Sequence, residues 1–242
     1  MIESSQSCLE VRISRPAHAR TRHISLKLTF ILSITCICAL TTAQTDLRMT
    51  KIVLRRMSPG IPSDSSGTQS ITLYRVSDKY SRIEEPPNPE RGIHNLIISK
   101  EPDSWTINLL DKTARHSLDP GPTFSARTPI IWAPKPNGQP DPDKEFQDLE
   151  FGNEVAFFRG HKARDIGLRK VEEKECDALA IKSGEREVIL LIDPATDKPV
   201  QMDFIKDGKP DFSIRYLSYE TDLPFDPSLF EPPPGLKITE SK

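Results

Sequence analysis

The sequence predicts a mainly β protein, α+β at most, built on an antiparallel sheet with one or two short helices. Three observations carry this. Apolar and polar residues alternate with period two along nearly the whole chain after residue 50. The segments that alternate are joined by short turns, which suit antiparallel neighbours, whereas a parallel crossover needs a dozen or more residues. No long stretch carries the 3.6-residue period of an amphipathic helix.

The elements follow in order. Residues 44–67 predict a strand with Ile52 and Leu54 on one face, then a Ser/Pro/Gly loop from Ser58 to Gly67. Ile71, Leu73 and Arg75 oppose Thr72, Tyr74 and Val76 on the next strand. Trp105, Ile107 and Leu109 share a face, with Thr106 and Asn108 on the other. Asp141-Pro142-Asp143 ahead of Phe146 and Leu149 predicts the cap and buried face of a short helix. Val155 and Phe157 alternate with Ala156 and Phe158, which predicts a strand. Four clear strands follow, Leu179 to Lys182, Glu187 to Asp193, Val200 to Lys206 and Phe212 to Tyr219. Ser183-Gly184, the Asp193–Asp197 turn and Asp207-Gly208 separate them, with residue types suited to tight turns. The strand over 187–193 is apolar on both faces, so the sheet is expected to curl, with this strand near its middle and something covering its second face.

Composition narrows the function classes. The chain has 242 residues, with Lys+Arg 33 against Asp+Glu 35, so nothing in its bulk charge attracts nucleic acid. Arg12, Arg15, Arg20, Arg22 and Lys27 precede an apolar stretch from Leu28 and a small-residue exit at Thr41-Thr42-Ala43. These are the parts of a secretory signal peptide, with cleavage expected after Ala43. Leu28 to Ala43 is 16 residues, short of the ~20 that span a bilayer. Removing residues 1–43 takes away five basic residues and two acids, so the exported chain carries −2 − 3 = −5. It also removes Cys8, Cys36 and Cys38 and leaves Cys176 as a half-buried strand cysteine, so the core rather than disulfides must hold the fold.

Catalytic constellations are sparse. His94, His116 and His161 stand far apart without a second ligand at metal spacing, and are expected at the surface. No nucleophile elbow, phosphate loop or dinucleotide fingerprint occurs. Cys176 is flanked by acids, which disfavour a thiolate. The pairs Glu84-Glu85 and Glu172-Glu173 point to opposite strand faces and are expected to be solvated charges. Trp105 and Trp132 predict core or cavity wall. No enzyme activity, cofactor or metal is expected.

Four stretches, taken together and in order, resemble the LolA/LolB-like superfamily of exported lipoprotein carriers and their relatives. They are Tyr80–Glu84, Trp105–Arg115, the Asp-Pro turn and following strand in Leu190–Met202, and the closing strand and tail in Tyr216–Gly235. The similarity spans about residues 68–238. It implies a strongly curved antiparallel sheet, an incomplete barrel, with helices plugging its open side. The chain departs from the family where an amphipathic helix would open it, since Thr45 to Met57 predicts a strand. None of the carriers' functional residues has a matching position.

The resemblance and the export signal imply a signal peptide over 1–43, an N-terminal strand and loop over 44–67, and a half-barrel domain over 68–242 with a Pro-rich strap at 223–242. They imply a periplasmic or secreted carrier or sensor with an acyl chain or lipoprotein as partner, no nucleic acid, and only transient membrane contact. Trp105, Ile107, Leu109, Leu190, Ile192, Met202, Phe204 and Tyr216 are the candidate cavity wall. The competing expectation is an envelope interaction or structural protein whose barrel these same residues fill. In that case the Pro-rich loops and tail carry recognition. A hydrolase would require one of the histidines beside a carboxylate in a deep cleft.

Overall fold

Twelve strands form one sheet in the computed structural model, which describes residues 47–62, 65, 68–119, 121–122, 124–131 and 144–241. The chain divides into a unit Met1–Thr45 and a unit Asp46–Lys242, and only the second is described. The expected signal peptide with Cys8, Cys36 and Cys38, the expected cap at 141–143, and Trp132 lie outside the described residues.

The first meander comprises β1 (Arg48–Met57), β2 (Ser70–Val76), β3 (Tyr80–Glu84), β4 (Asn95–Lys100), β5 (Asp103–Asn108) and β6 (Thr113–Leu118). The second comprises β7 (Arg164–Val171), β8 (Lys174–Ser183), β9 (Arg186–Asp193), β10 (Lys198–Lys206) and β11 (Lys209–Pro224). β11 pairs with β1 and joins the two, and β12 (Lys237–Glu240) adds beside β6. The order is β12-β6-β5-β4-β3-β2-β1-β11-β10-β9-β8-β7, curved and not closed, with β12 and β7 at the ends. Every pairing is antiparallel except β12 with β6. Register shifts in the β1/β11, β9/β10, β10/β11 and β7/β8 pairs supply local bends, because a bulge adds a residue to one strand and increases its twist. Asp207 (φ 51°) and Gly208 (φ 71°) both adopt positive φ, as the tight hairpin between β10 and β11 requires.

Two expectations are corrected. Residues 155–158 are helical, not a strand: α1 spans Glu154–Gly160. Its buried residues Glu154, Phe157 and Phe158 fall at i, i+3 and i+4, one helix face. The run Val155-Ala156-Phe157-Phe158 satisfies both periods, and a short apolar run does not discriminate between them. The strand over 187–193 is not central either. β9 lies third from the β7 end, and β2 and β1 occupy the middle. Its doubly apolar pattern reflects cover on both faces, with Val188, Leu190 and Ile192 in one buried cluster and Ile189 and Leu191 in another. Coverage sets hydrophobicity; lateral position does not.

Register decides which side chains share a face, since directly paired residues point the same way. From Tyr216 the ladder runs through Leu54, Ile71 and its strand-mate Leu73, Ile83 and Ile97 to Thr106. In the other direction Ile214 leads to Met202 and Leu190. One apolar cluster occupies this face, under a segment that includes Phe146, Leu149, Phe157 and Phe158. The opposite face of β1 to β6 carries a second cluster, Met49, Val76, Leu96, Ile98, Ile107 and Ala114, covered by the tail. There Phe225, Leu229, Phe230 and Leu236 pack down, and the Tyr80 ring meets Phe225 at 5.1 Å and Phe230 at 5.4 Å between centroids. Asp226 starts the tail's short turn by accepting from the Ser228 N–H at 3.0 Å. Burying Phe230 completely contributes about 1.5–3 kcal/mol to holding the tail across the sheet.

Candidate functional site

The long crossover from β6 to β7 carries the short turn Lys144–Phe146 and α1, and it plugs the face formed by β1, β2 and β8 to β11. Phe146, Leu149 and Phe158 have essentially no exposed surface. They lie against Ile52, Leu54, Leu73, Leu190, Met202, Phe204, Ile214 and Tyr216. Two carboxylates, Glu150 and Glu154, interrupt this apolar contact, and both are buried.

Glu154 points at β11. Its Oε1 accepts a hydrogen bond from the Tyr216 hydroxyl at 3.0 Å, and its Oε2 from the Tyr219 hydroxyl at 2.9 Å and the Gly152 N–H at 3.0 Å. Tyr216 and Tyr219 are three apart and would face opposite ways on a regular strand. A register shift lets both face the plug: Leu54 pairs with Tyr216 and Ile52 with Tyr219, while the intervening Leu217 turns outward, 50% exposed. Burial pushes the Glu154 carboxyl above its ordinary range, against the opposing effect of its hydrogen bonds. Burial, with the neighbouring Glu154, also pushes both tyrosine hydroxyls up.

Glu150 is held by two arginines. Arg75 Nη2 lies 2.9 Å from its Oε2 and Arg127 Nε lies 2.7 Å from its Oε1. Arg75 also donates to the Phe151 carbonyl at 2.8 Å, and the Phe151 N–H donates to the Thr128 carbonyl at 2.9 Å. Gly152 sits at φ +93°, a conformation that residues with a Cβ rarely adopt, so the turn into α1 needs glycine. The plug is therefore positioned by hydrophobic contact but fastened at a few polar points. Replacing a buried ion pair by apolar groups of similar shape is often neutral or stabilising, so the latch adds less than the apolar contact around it. The arrangement holds a segment over an apolar bed.

The eight predicted wall residues do not form one wall. Leu190, Ile192, Met202, Phe204 and Tyr216 share the plugged face. Trp105, Ile107 and Leu109 belong to the cluster on the opposite side, under the tail. Alternation assigns a residue to one of two faces of its own strand; only the inter-strand register decides whether two distant strands present the same side. Glu150, Glu154, Arg75, Arg127 and Tyr219 were absent from the prediction. The available signal was two acids four residues apart bracketing Phe151, Val155, Phe157 and Phe158.

The histidines have local partners. His116 lies between Asp103 and Glu240, its two ring nitrogens each 2.7 Å from a carboxylate oxygen, with the Trp105 ring stacked on it at 5.1 Å. His94 Nε2 is 3.5 Å from Glu84, and His161 stacks on Phe157. Among the described residues no group of three His, Cys, Asp or Glu is placed to hold a metal ion. Cys176 is fully buried, beyond the half-burial expected of it, and packs against Val171, Ala178 and Leu191. Burial pushes its thiol up. The acid pairs are partly engaged: Glu84 accepts from Arg82 and Glu85 from Asn95, while Glu172 (φ 56°) lies in the turn between β7 and β8 and pairs with Arg215. No helix among the described residues is long and apolar enough to cross a membrane.

Fold and site together define an open, plugged β-sheet protein. No family model and no curated protein matches the chain. Similar solved structures include an uncharacterized conserved protein from Thermus thermophilus, at 12% identity and TM-score 0.46, covering 80% of this chain and 90% of that one. The MucA/MucB complex of Pseudomonas aeruginosa gives 10% identity and TM-score 0.38, over 75% of this chain and 55% of that one, so about half of its length is matched. A LolA superfamily protein from Nitrosomonas europaea gives 12% identity and TM-score 0.29, over 78% of this chain and 91% of that one.

Proposed function

We propose that this is an exported, non-enzymatic carrier or sensor for an acyl chain, free or on a lipoprotein, and that the plug is the lid that gives way to it. One observation carries the reading. An apolar bed of Leu54, Leu190, Met202, Phe204 and Tyr216 is covered by a short segment whose fastenings, Glu150 to Arg75 and Arg127 and Glu154 to Tyr216 and Tyr219, are polar. A linear chain would lie where Leu149, Phe157 and Phe158 now lie. Each buried methylene contributes ~0.8 kcal/mol, so a long chain gains on the order of 10 kcal/mol before ordering costs, enough to compete with the plug. Of the predicted wall, Leu190, Ile192, Met202, Phe204 and Tyr216 line this bed together with Leu54, and Trp105, Ile107 and Leu109 serve the tail. The export signal over 1–43 supports a periplasmic or secreted protein with only transient membrane contact, and the working domain takes in β1 ahead of the half-barrel expected over 68–242, since β1 supplies Leu54 to the bed.

The second reading is an envelope interaction protein with a filled shell. It is favoured by the complete burial of Leu190, Met202 and Phe204 with the plug in place. Lipid extraction and native mass spectrometry of the purified exported chain, followed by titration with a fluorescent long-chain fatty acid, separate the two. Carriage expects bound lipid or saturable uptake, increased by Tyr216→Phe/Tyr219→Phe, which loosens the lid. Lipid-free protein that takes up no probe, in wild type and variant alike, overturns carriage and leaves the filled shell.

A further inference from the structure

The last strand, β12, differs from the other eleven. It has four residues, it makes the sheet's one parallel pairing, and all four of its side chains are exposed, Ile238 at 52%. It therefore adds little to the core. Its backbone extends β6, with the Lys237 N–H donating to the Lys112 carbonyl at 2.8 Å and the Ser241 N–H to the His116 carbonyl at 2.7 Å. The tail before it is anchored independently by Phe225, Leu229, Phe230 and Leu236. β12 can leave the edge without undoing that anchor.

What ties β12 by its side chains is a single charged contact, Glu240 Oε2 to His116 Nδ1 at 2.7 Å. The other ring nitrogen, Nε2, is 2.7 Å from Asp103 Oδ1. A neutral imidazole carries one N–H and can donate to only one carboxylate; the imidazolium donates to both. Trp105, stacked against the ring, adds a cation–π attraction for the charged form. The groups facing His116 are Asp103 and Trp105 from β5 and Glu240 from β12. Lys100 of β4 stands beside Asp103 in the register and is tied to Glu231 of the tail. The hydrogen bond to Asp103, then that to Glu240, raises the affinity of His116 for its proton, against the opposing effect of burial. Seen from β6, the edge is a row of backbone groups with an imidazolium already paired on its inner side and seeking a carboxylate on its outer side.

We propose that the edge of β6 is a strand-accepting site for an extended protein segment carrying a carboxylate at the position of Glu240, and that β12 is its occupant in cis. Backbone pairing supplies sequence-independent affinity, and His116 reads one acidic side chain, the division of labour expected when a strand adds to a sheet edge. The site works independently of acyl-chain carriage, since it lies on β5, β6 and β12 and not beneath the plug.

The test uses the full chain and a fluorescent peptide of residues 235–242, Gly-Leu-Lys-Ile-Thr-Glu-Ser-Lys, at pH 6. Glu240→Gln weakens the cis occupant, so the peptide is expected to bind that variant at least about tenfold more tightly than wild type, the size of one lost charged hydrogen bond. Adding His116→Gln to the same chain should abolish the gain, as should replacing the peptide's glutamate by glutamine. Hydrogen exchange should show faster exchange at β6 and β12 in Glu240→Gln and renewed protection when the peptide is added. Equal binding to all chains, binding indifferent to the peptide's glutamate, or no binding to Glu240→Gln each overturn the proposal. A clean circular dichroism spectrum of each variant excludes misfolding as the cause.

Discussion

Removing one tyrosine hydroxyl from the latch tests the site most directly. Tyr216→Phe deletes the donor to Glu154 Oε1 and leaves that buried oxygen without the bond it makes at 3.0 Å. Tyr219→Phe deletes a donor to Oε2, which keeps the Gly152 N–H at 3.0 Å. The two changes are alike chemically and should differ energetically. A lost hydrogen bond costs about 1 kcal/mol where the acceptor keeps another donor, and about 1–3 kcal/mol where a buried acceptor is left without one. We expect about 2 kcal/mol for Tyr216→Phe and about 1 kcal/mol for Tyr219→Phe. At about 2–4 °C per kcal/mol for a domain of this size, Tyr216→Phe should lower Tm by about 4–8 °C.

The pH dependence adds a second constraint. The Glu154 carboxyl is raised in the folded state by burial. As pH rises from acid, the unfolded chain releases this proton first, so the folded state binds more protons and stability falls until the folded group also ionises. Removing a donor to the ionised form raises the folded value further and deepens that fall. The Tyr216→Phe deficit should therefore be larger at pH 7.5 than at pH 5, measured by thermal melts followed by circular dichroism. A deficit equal at both pH values, or a larger one for Tyr219→Phe, would refute the latch.

Three further outcomes are expected. Arg75→Met leaves Glu150 with Arg127 as its remaining cation and should cost about 3 kcal/mol, with hydrogen exchange accelerating first in residues 144–163. Phe158→Ala empties a fully buried position between plug and bed and should cost about 3–5 kcal/mol in denaturant unfolding, with the cavity accepting a small apolar probe. Cys176 should react with a thiol reagent only after denaturation, because its side chain is buried and its thiol is pushed up; fast labelling of the native protein would contradict the packing around Val171 and Leu191.

Much of the sheet was legible in the sequence because its causes are local. Alternation marked β1, β2, β5 and β8 to β11, and Asp207-Gly208 marked a hairpin, because side-chain direction and positive φ depend on neighbours in the chain. The doubly apolar run of β9 correctly announced cover on both faces. The helix at α1 was not legible. The run 155–158 within it satisfies two periods, and only burial of Glu154, Phe157 and Phe158 on one side chose between them.

The sequence by itself determined the β class, the turns and the apolar inventory, because each follows from the steric and solvation preferences of a few adjacent residues. Tertiary structure alone decided which residues face one another. Register placed Trp105 and Leu190 on opposite sides of the sheet, and a single bulge in β11 turned Tyr219 toward the same carboxylate as Tyr216. Residues 62 and 124 positions apart in the chain meet at Glu154 and Tyr216 and at His116 and Glu240. Their meeting depends on the accumulated pairing of all the strands between them, which no local pattern encodes.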